Sequence, residues 1–234
     1  MKEIKQFLLQ LLHHIVPFWW YRNGSYSQDG EDMVLNAFYE AHKNYKGFYV
    51  DVGAHHPFRF SNTAFFYKKG WRGINIEATP TLMKAFRVFR KRDINLNIAV
   101  GLSEKPLKFF IFNESALNGF DEELSQQRNQ GRYKIIDTIE IAPKKLACIL
   151  DQHLPKGQKI DFMSIDVEGV DLDVLKSNDW EKYAPDYLLV EGALNFENIT
   201  QSEIYCYLHQ LSYKLVAKTQ RTCIFQNINL LPRI

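Results

Sequence analysis

Four apolar runs in this 234-residue chain end in acids: Asp51 in Phe48-Tyr49-Val50-Asp51-Val52-Gly53, Glu77 after Ile74-Asn75-Ile76, Asp166 and Glu168 in the run 160–169, and Glu191 after Leu188-Leu189-Val190. Short runs rich in β-branched residues read as buried parallel strands. Their carboxyl ends share one rim, where open α/β sheets bind small molecules. Buried like charges are costly unless a partner offsets them. Two partners suit this set: a ligand carrying ribose hydroxyls and a cation, or a divalent metal that takes oxygen ligands. An acid after the second strand is where nucleotide-binding α/β folds hold ribose, and Glu77 stands there. Gly53 adds close backbone approach, since no Cβ intervenes. No G-x-G-x-x-G follows the first strand and no P-loop is present, so a pyrophosphate has no cradle. A cofactor with ribose but no phosphate, such as S-adenosylmethionine, fits that pattern.

The elements that must position these acids follow from periodicity. Strands are expected over 48–53, 72–77, 94–100, 160–166 and 187–191, and the residues between them carry helical patterns. Ser27 followed by acids reads as a helix start that leads into the first strand. Helices are expected over 64–69, from Thr79-Pro80 to the basic run Arg87, Arg90, Lys91, Arg92, and over 146–153, 170–176 and 201–211. The basic run reads as a solvated helix face or a phosphate or acidic-lipid contact. Residues 107–113 look extended and outside the parallel core, and residues 134–141 look extended again. The polar stretch 114–133 between them reads as a mobile or substrate-facing insertion, since loops of that length are usually functional or disordered. A closing hairpin is expected over 213–219 and 222–228. Strands alternating with helices imply an α/β fold with a mostly parallel sheet, helices on both faces and an antiparallel terminal hairpin.

A length of 234 residues suits one domain with small appendages. The division expected is an N-terminal amphipathic helix and linker, 1–24, followed by a single domain, 25–234. The net charge of +2 gives no global argument for nucleic acid or membrane. Three distant cysteines, Cys148, Cys206 and Cys223, lack metal-binding spacing and read as buried thiols in a reducing compartment.

In residues 1–20, Ile4, Phe7, Leu8, Leu11, Leu12 and Ile15 recur at three- and four-residue steps, and Pro17 ends the pattern. The segment is too short and too polar to span a bilayer and lacks a signal-peptide cleavage site. Three readings stay open: packing on the domain, homodimerisation, or lying in a membrane interface with Phe18, Trp19 and Trp20 as anchors.

Taken together, VDVGAHHPFRFSN (50–62), GWRGINIEATP (70–80), INLNIAV (94–100) and IDFMSIDVEG (160–169) resemble the FkbM-type methyltransferase family, and SYSQDGEDMVL (25–35) is similar to the lead-in of its bacterial polysaccharide-associated members. The resemblance covers roughly residues 25–192. It implies a Rossmann-like fold that binds S-adenosylmethionine and methylates an oxygen, often a sugar hydroxyl. By match, Asp51, Gly53 and Ala54 form the cofactor loop, with His55 and Asn62 among the contacts. Glu77 holds the ribose and Asn97 lies near adenine. Many relatives carry Asn where His55 stands.

Methyl transfer to a sugar hydroxyl requires alignment, removal of a poorly acidic proton and exclusion of water. Asp166 and Glu168 are the expected catalytic pair, with His56 as an alternative base, or both histidines cap the loop instead. Asp166, Glu168 and Glu191 could instead hold Mg²⁺. Tyr67, Trp71 and Phe120 are candidates for stacking on a sugar or for core packing. The expected function is an S-adenosylmethionine-dependent O-methyltransferase acting on a sugar or glycan of surface polysaccharide or glycolipid, in the cytoplasm or at the inner membrane face. The alternatives are an NAD-dependent sugar oxidoreductase and a non-catalytic module that keeps the cofactor pocket. Nucleic acid is not an expected partner.

Overall fold

The computed structural model describes residues 24–229, apart from 43, 104 and 193–195. The helix expected over residues 1–20 lies outside them. In chain order the elements are α1 (Glu31–Tyr39), β1 (Phe48–Val52), α2 (Ala64–Lys68), β2 (Arg72–Ile76), α3 (Pro80–Phe89), β3 (Ile94–Leu96), β4 (Leu107–Phe112), a 3₁₀ turn (Ser115–Leu117), α4 (Glu122–Arg128), β5 (Ile135–Ile141), α5 (Leu146–His153), β6 (Phe162–Ile165), α6 (Asp171–Lys176), β7 (Tyr187–Glu191), a 3₁₀ turn (Phe196–Gln201), α7 (Glu203–Gln210), β8 (Tyr213–Lys218) and β9 (Thr222–Asn227). Seven strands form one sheet in the order β3-β2-β1-β6-β7-β9-β8. The first five of these are parallel, and the hairpin β8–β9 closes the sheet antiparallel to β7.

β1 lies at the centre of the five parallel strands and is buried at all five positions, which is why its sequence is nearly continuous in apolar residues rather than alternating. Its side chains still divide by face. Phe48, Val50 and Val52 pack in a cluster with Leu146 and Ile149 of α5, Val174 and Leu175 of α6 and Leu208 of α7. Tyr49 points the other way, into a cluster with Leu35 and Tyr39 of α1 and Phe66 of α2. Burying one side chain of this size stabilises by roughly 1.5–3 kcal/mol, so helices on both faces give the sheet most of its hold.

The strand order reverses beside β1, which sends the chain to β2 and β3 on one side and to β6 and β7 on the other. This switch point leaves a crevice beyond the carboxyl ends of β1 and β6. β4 and β5 pair with each other outside the main sheet, and the segment between them folds back, with a two-way bridge between Phe110 and Gly119.

Two expectations fail in detail. β3 stops at Leu96 instead of running to Val100, because the Asn97 side chain turns to donate to the carbonyls of Glu77 (2.8 Å) and Ala78 (2.9 Å). Cys148 and Cys206 are exposed free thiols, and only Cys223 is buried. Helix periodicity explains this, since Cys148 lies between the inward-facing Leu146 and Ile149.

Candidate active site

A cleft opens at the switch point, with about 750 Å³ of space counting that open to solvent, and its wall includes Gly53 and His55, Glu77, the stretch 98–100, Ser115 and Asn118, and Asp166 with Glu168. The floor is backbone. Gly53 has φ +79°, and a Cβ there would lie 1.7 Å from the Asp166 carbonyl oxygen. The turn after β1 therefore presses on the turn after β6 at a point that admits no side chain.

Glu77 follows β2 and is 7% exposed. One carboxylate oxygen accepts from the Thr79 N–H (2.7 Å) and the other from the His55 N–H (2.9 Å). Burial raises its pKa, and the two backbone donors pull the other way. A carboxylate fixed by backbone bonds keeps further lone pairs for a ligand, and two oxygens side by side suit a vicinal diol.

His55, with φ +52°, lines the cleft. Its Nε2 lies 3.0 Å from the Ser115 hydroxyl, while Nδ1 is buried with no partner. Burial first, then the Arg59 charge, holds its pKa down at about 4, so the ring is neutral at physiological pH. An orphaned buried nitrogen on a cleft residue is a group that a bound ligand would satisfy.

At the other end of the cleft stand three acids from two strand ends. Asp166, Glu168 and Glu191 each offer an oxygen, and these oxygens lie within 4.8 Å of one another. Burial raises the Asp166 pKa well above the ordinary carboxylate range, and a hydrogen bond with Glu191 raises it further. The nearby charges of Glu191, Glu168 and Asp171 all act in the same direction, favouring a protonated Asp166. Glu168 sits in the left-handed region at φ +54° and pairs with Arg128 of α4 at 2.5 Å. Burial raises its pKa too, and Arg128 opposes that. The inserted segment 113–128 thus caps the acidic end as well as the His55 side. Arg59 and Glu114 add a bidentate ion pair (3.0 and 3.2 Å) between the loop after β1 and the insertion.

Several residues expected at the site stand elsewhere. Asp51 is absent from the cleft wall; it is 5% exposed and accepts from the Thr63 hydroxyl at 2.7 Å. Ala54 lies beneath the loop in a small cluster with Met83 and Phe86. Asn62 donates to the Ser164 hydroxyl at 3.0 Å, and Asn97 is occupied by the two carbonyls of the Glu77–Ala78 turn; neither lines the cleft. His56 is not placed to act as a base, because its Nδ1 accepts from the Phe58 (3.1 Å) and Arg59 (2.9 Å) N–H groups and caps their turn. Trp71 is core, Tyr67 lies beneath Arg90 and Arg92, and Phe120 alone of the three aromatic candidates lines the cleft.

Other wall residues carried no sequence signal. Gln28 is one, held by a segment that wraps the Asp32 carboxylate through Ser25 (2.6 Å), Tyr26 N–H (2.8 Å) and Ser27 (2.9 Å). Phe60, Phe109, Ser115 and Asn118 are others. The length of the 114–133 insertion was the only hint of the last two.

Among the described wall residues there is no lysine and no arginine. An acid-lined cleft without a cation disfavours phosphate and favours a positively charged, phosphate-free ligand. S-Adenosylmethionine meets this description: Glu77 suits its ribose hydroxyls, the apolar stretch 98–100 its base, and the acids its sulfonium charge.

The family description "Methyltransferase FkbM domain" matches residues 51–215. No curated protein matches the chain. Among solved structures, the chain is similar to methyltransferase FkbM from Methylobacillus flagellatus KT, at 15% identity and TM-score 0.45, over 78% of this chain and 44% of that one. It is also similar to precorrin-6y C5,15-methyltransferase from Geobacter metallireducens GS-15, at 12% identity and TM-score 0.40, over 82% of this chain and 85% of that one. The chain thus spans less than half the length of the first of these.

Proposed function

The chain belongs to the FkbM methyltransferase family, and from that premise we propose that it transfers a methyl group from S-adenosylmethionine to a hydroxyl of a sugar or glycan. The observation that carries this reading is the cleft whose wall holds Glu77, Asp166 and Glu168 and no lysine or arginine among the described residues. When bound, S-adenosylmethionine supplies an electrophilic methyl on a sulfonium.

The chain's own residues do the rest. Glu77 receives the ribose diol on a carboxylate already oriented by the His55 and Thr79 amides. The apolar stretch 98–100 takes the base, a role earlier expected of Asn97. The insertion, tied down through Ser115, Glu114 and Arg128, limits water access above the reacting centre. Asp166 accepts the hydroxyl proton. Its raised pKa makes it a stronger base than a solvated carboxylate, which a poorly acidic sugar hydroxyl needs. Turnover should therefore rise with pH along a limb displaced above the usual carboxylate range. Arg128 opposes the burial that favours protonation of Glu168 beside it.

The oxygens of Asp166, Glu168 and Glu191 also suit Mg²⁺, which would activate the hydroxyl by lowering its pKa. EDTA followed by Mg²⁺ replacement separates the two arrangements: loss and recovery of turnover favours the metal, and unchanged turnover favours Asp166 as the base without a metal. The function itself is tested with isotopically labelled S-adenosylmethionine and a panel of oligosaccharides, read by mass spectrometry for an alkali-stable methyl ether. Label found only on nitrogen or carbon acceptors would refute the hydroxyl reading.

A further inference from the structure

Outside the cleft, the most unusual surface is the C-terminal end of α3 and the loop that it touches. Val88 and Phe89 are 57% and 56% exposed, which is far from typical for such residues on a helix that otherwise buries Met83 and Phe86. They stand within Lys84-Ala85-Phe86-Arg87-Val88-Phe89-Arg90-Lys91-Arg92, which holds five basic residues and no acid. Arg90 is buried, whereas Lys84, Arg87, Lys91 and Arg92 are exposed. Phe58 meets Phe89 edge-on at 5.8 Å between ring centroids. Two residues on, Phe60 is 39% exposed and forms part of the cleft wall. Apolar side chains projecting from a basic surface thus reach the rim of the active-site cleft.

We propose that this face docks on an anionic lipid surface, with Val88 and Phe89 entering the headgroup boundary and Arg87 and Lys91 meeting lipid phosphates. Charge complementarity carries the choice of occupant. A basic surface gains about 1 kcal/mol per lysine or arginine near an anionic bilayer, and inserted apolar side chains add to that. The path of the chain points the same way. It enters the described region beside this patch, where the Tyr26 ring lies 6.4 Å from that of Phe58 and Lys68 donates to the Tyr26 hydroxyl at 2.5 Å. The residues before it include Phe18, Trp19, Trp20 and Arg22, aromatic and basic types that favour a membrane interface. A second basic surface would repel this patch, and nucleic acid has no use for an exposed valine. Because Phe60 belongs to both patch and cleft, docking would bring the cleft mouth to the membrane.

The test is flotation of the full chain with vesicles of phosphatidylcholine alone, and with phosphatidylglycerol added, at physiological salt. The parent should float only with the anionic vesicles. R87Q/K91Q should weaken that binding by roughly thirtyfold, the equivalent of two lost basic contacts. V88S/F89S should weaken it comparably, and both variants should keep the parent's thermal midpoint because the altered side chains are exposed. The proposal is overturned if the parent does not bind anionic vesicles, or if both double variants bind as the parent does, which would leave membrane contact to the N-terminal residues alone. Preferential binding of single-stranded RNA, lost in the same variants, would overturn it too. The assay contains no methyl acceptor, so its failure leaves the methyl-transfer reading untouched.

Discussion

Asp51 and Asp166 close the same sequence design on neighbouring strands, an apolar run followed by an acid and then a glycine, yet the two carboxylates have opposite surroundings. In the parallel register Asp51 is level with Ser164, two residues short of Asp166. Those two residues leave Asp51 inside the ladder, while Asp166 projects past the end of β6 into the cleft. Asp51 meets Thr63, whose hydroxyl also accepts from Arg90 (2.8 Å), and Arg90 further holds Asp93 (2.9 Å), the Tyr49 hydroxyl (2.8 Å) and the Pro57 carbonyl (2.9 Å). Asp166 meets only acids and a cavity. A cation within hydrogen-bonding networks makes the first group a scaffold. The lack of one at Asp166 fits the role of base proposed for it.

The comparison breaks most visibly at Asp166. Asp166→Asn should lower turnover by about 10²–10⁴-fold while leaving S-adenosylmethionine binding near that of the parent. Calorimetry and a single-turnover assay read the two separately. An equal loss in Asp51→Asn would erase the distinction drawn here.

Arg90→Met attacks the scaffold side. It strands Asp93 as a buried charge, a loss typically of about 3–5 kcal/mol, readable as a lower midpoint in urea. A stable variant that lost only activity would move Arg90 from scaffold to site. Glu77→Ala is smaller. Removing a charged acceptor from two ligand hydroxyls should weaken S-adenosylmethionine binding by about tenfold to a hundredfold, with the fold retained; unaltered affinity by calorimetry would displace the ribose from this position.

What the sequence showed and what it hid divide along the same line. The alternation of strands and helices and the terminal hairpin were legible because periodicity records which faces are buried; 107–113 and 134–141 were legible as extended, but not as partners of each other. Glu77, Gly53 and the Asp166–Glu168–Glu191 group were legible because acids and glycines at strand ends are rare without a purpose. Arg90 was not, since it lies in a run of basic residues that reads as solvated. Its place four residues beyond Phe86 and seven beyond Met83 on the buried face (83, 86, 90) was the available signal, and charge masked it. His56 and Asn97 misled for a related reason. Both bind backbone atoms of nearby turns, and residue type alone does not say whether a polar side chain serves the chain or a ligand.

The smallest expected effect concerns Asp51 itself. Burial raises its pKa from 3.8 to about 6, with Thr63 and Arg90 opposing the rise. The folded chain therefore takes up this proton more readily than the unfolded chain, and the stabilisation that results is complete below 3.8 and disappears as pH climbs through about 6. Parent stability should accordingly fall across that window. Asp51→Asn keeps an acceptor for the Thr63 hydroxyl but has no charge to bury, so its stability should fall less steeply between the same limits. Asp171, which burial raises to about 7, contributes to the slope in both proteins and cancels in the difference. Urea midpoints measured from pH 4 to pH 7 give the comparison directly. Parallel curves would mean that Asp51 stays ionised throughout, and that Arg90 reaches it more strongly than the bonds through Thr63 imply.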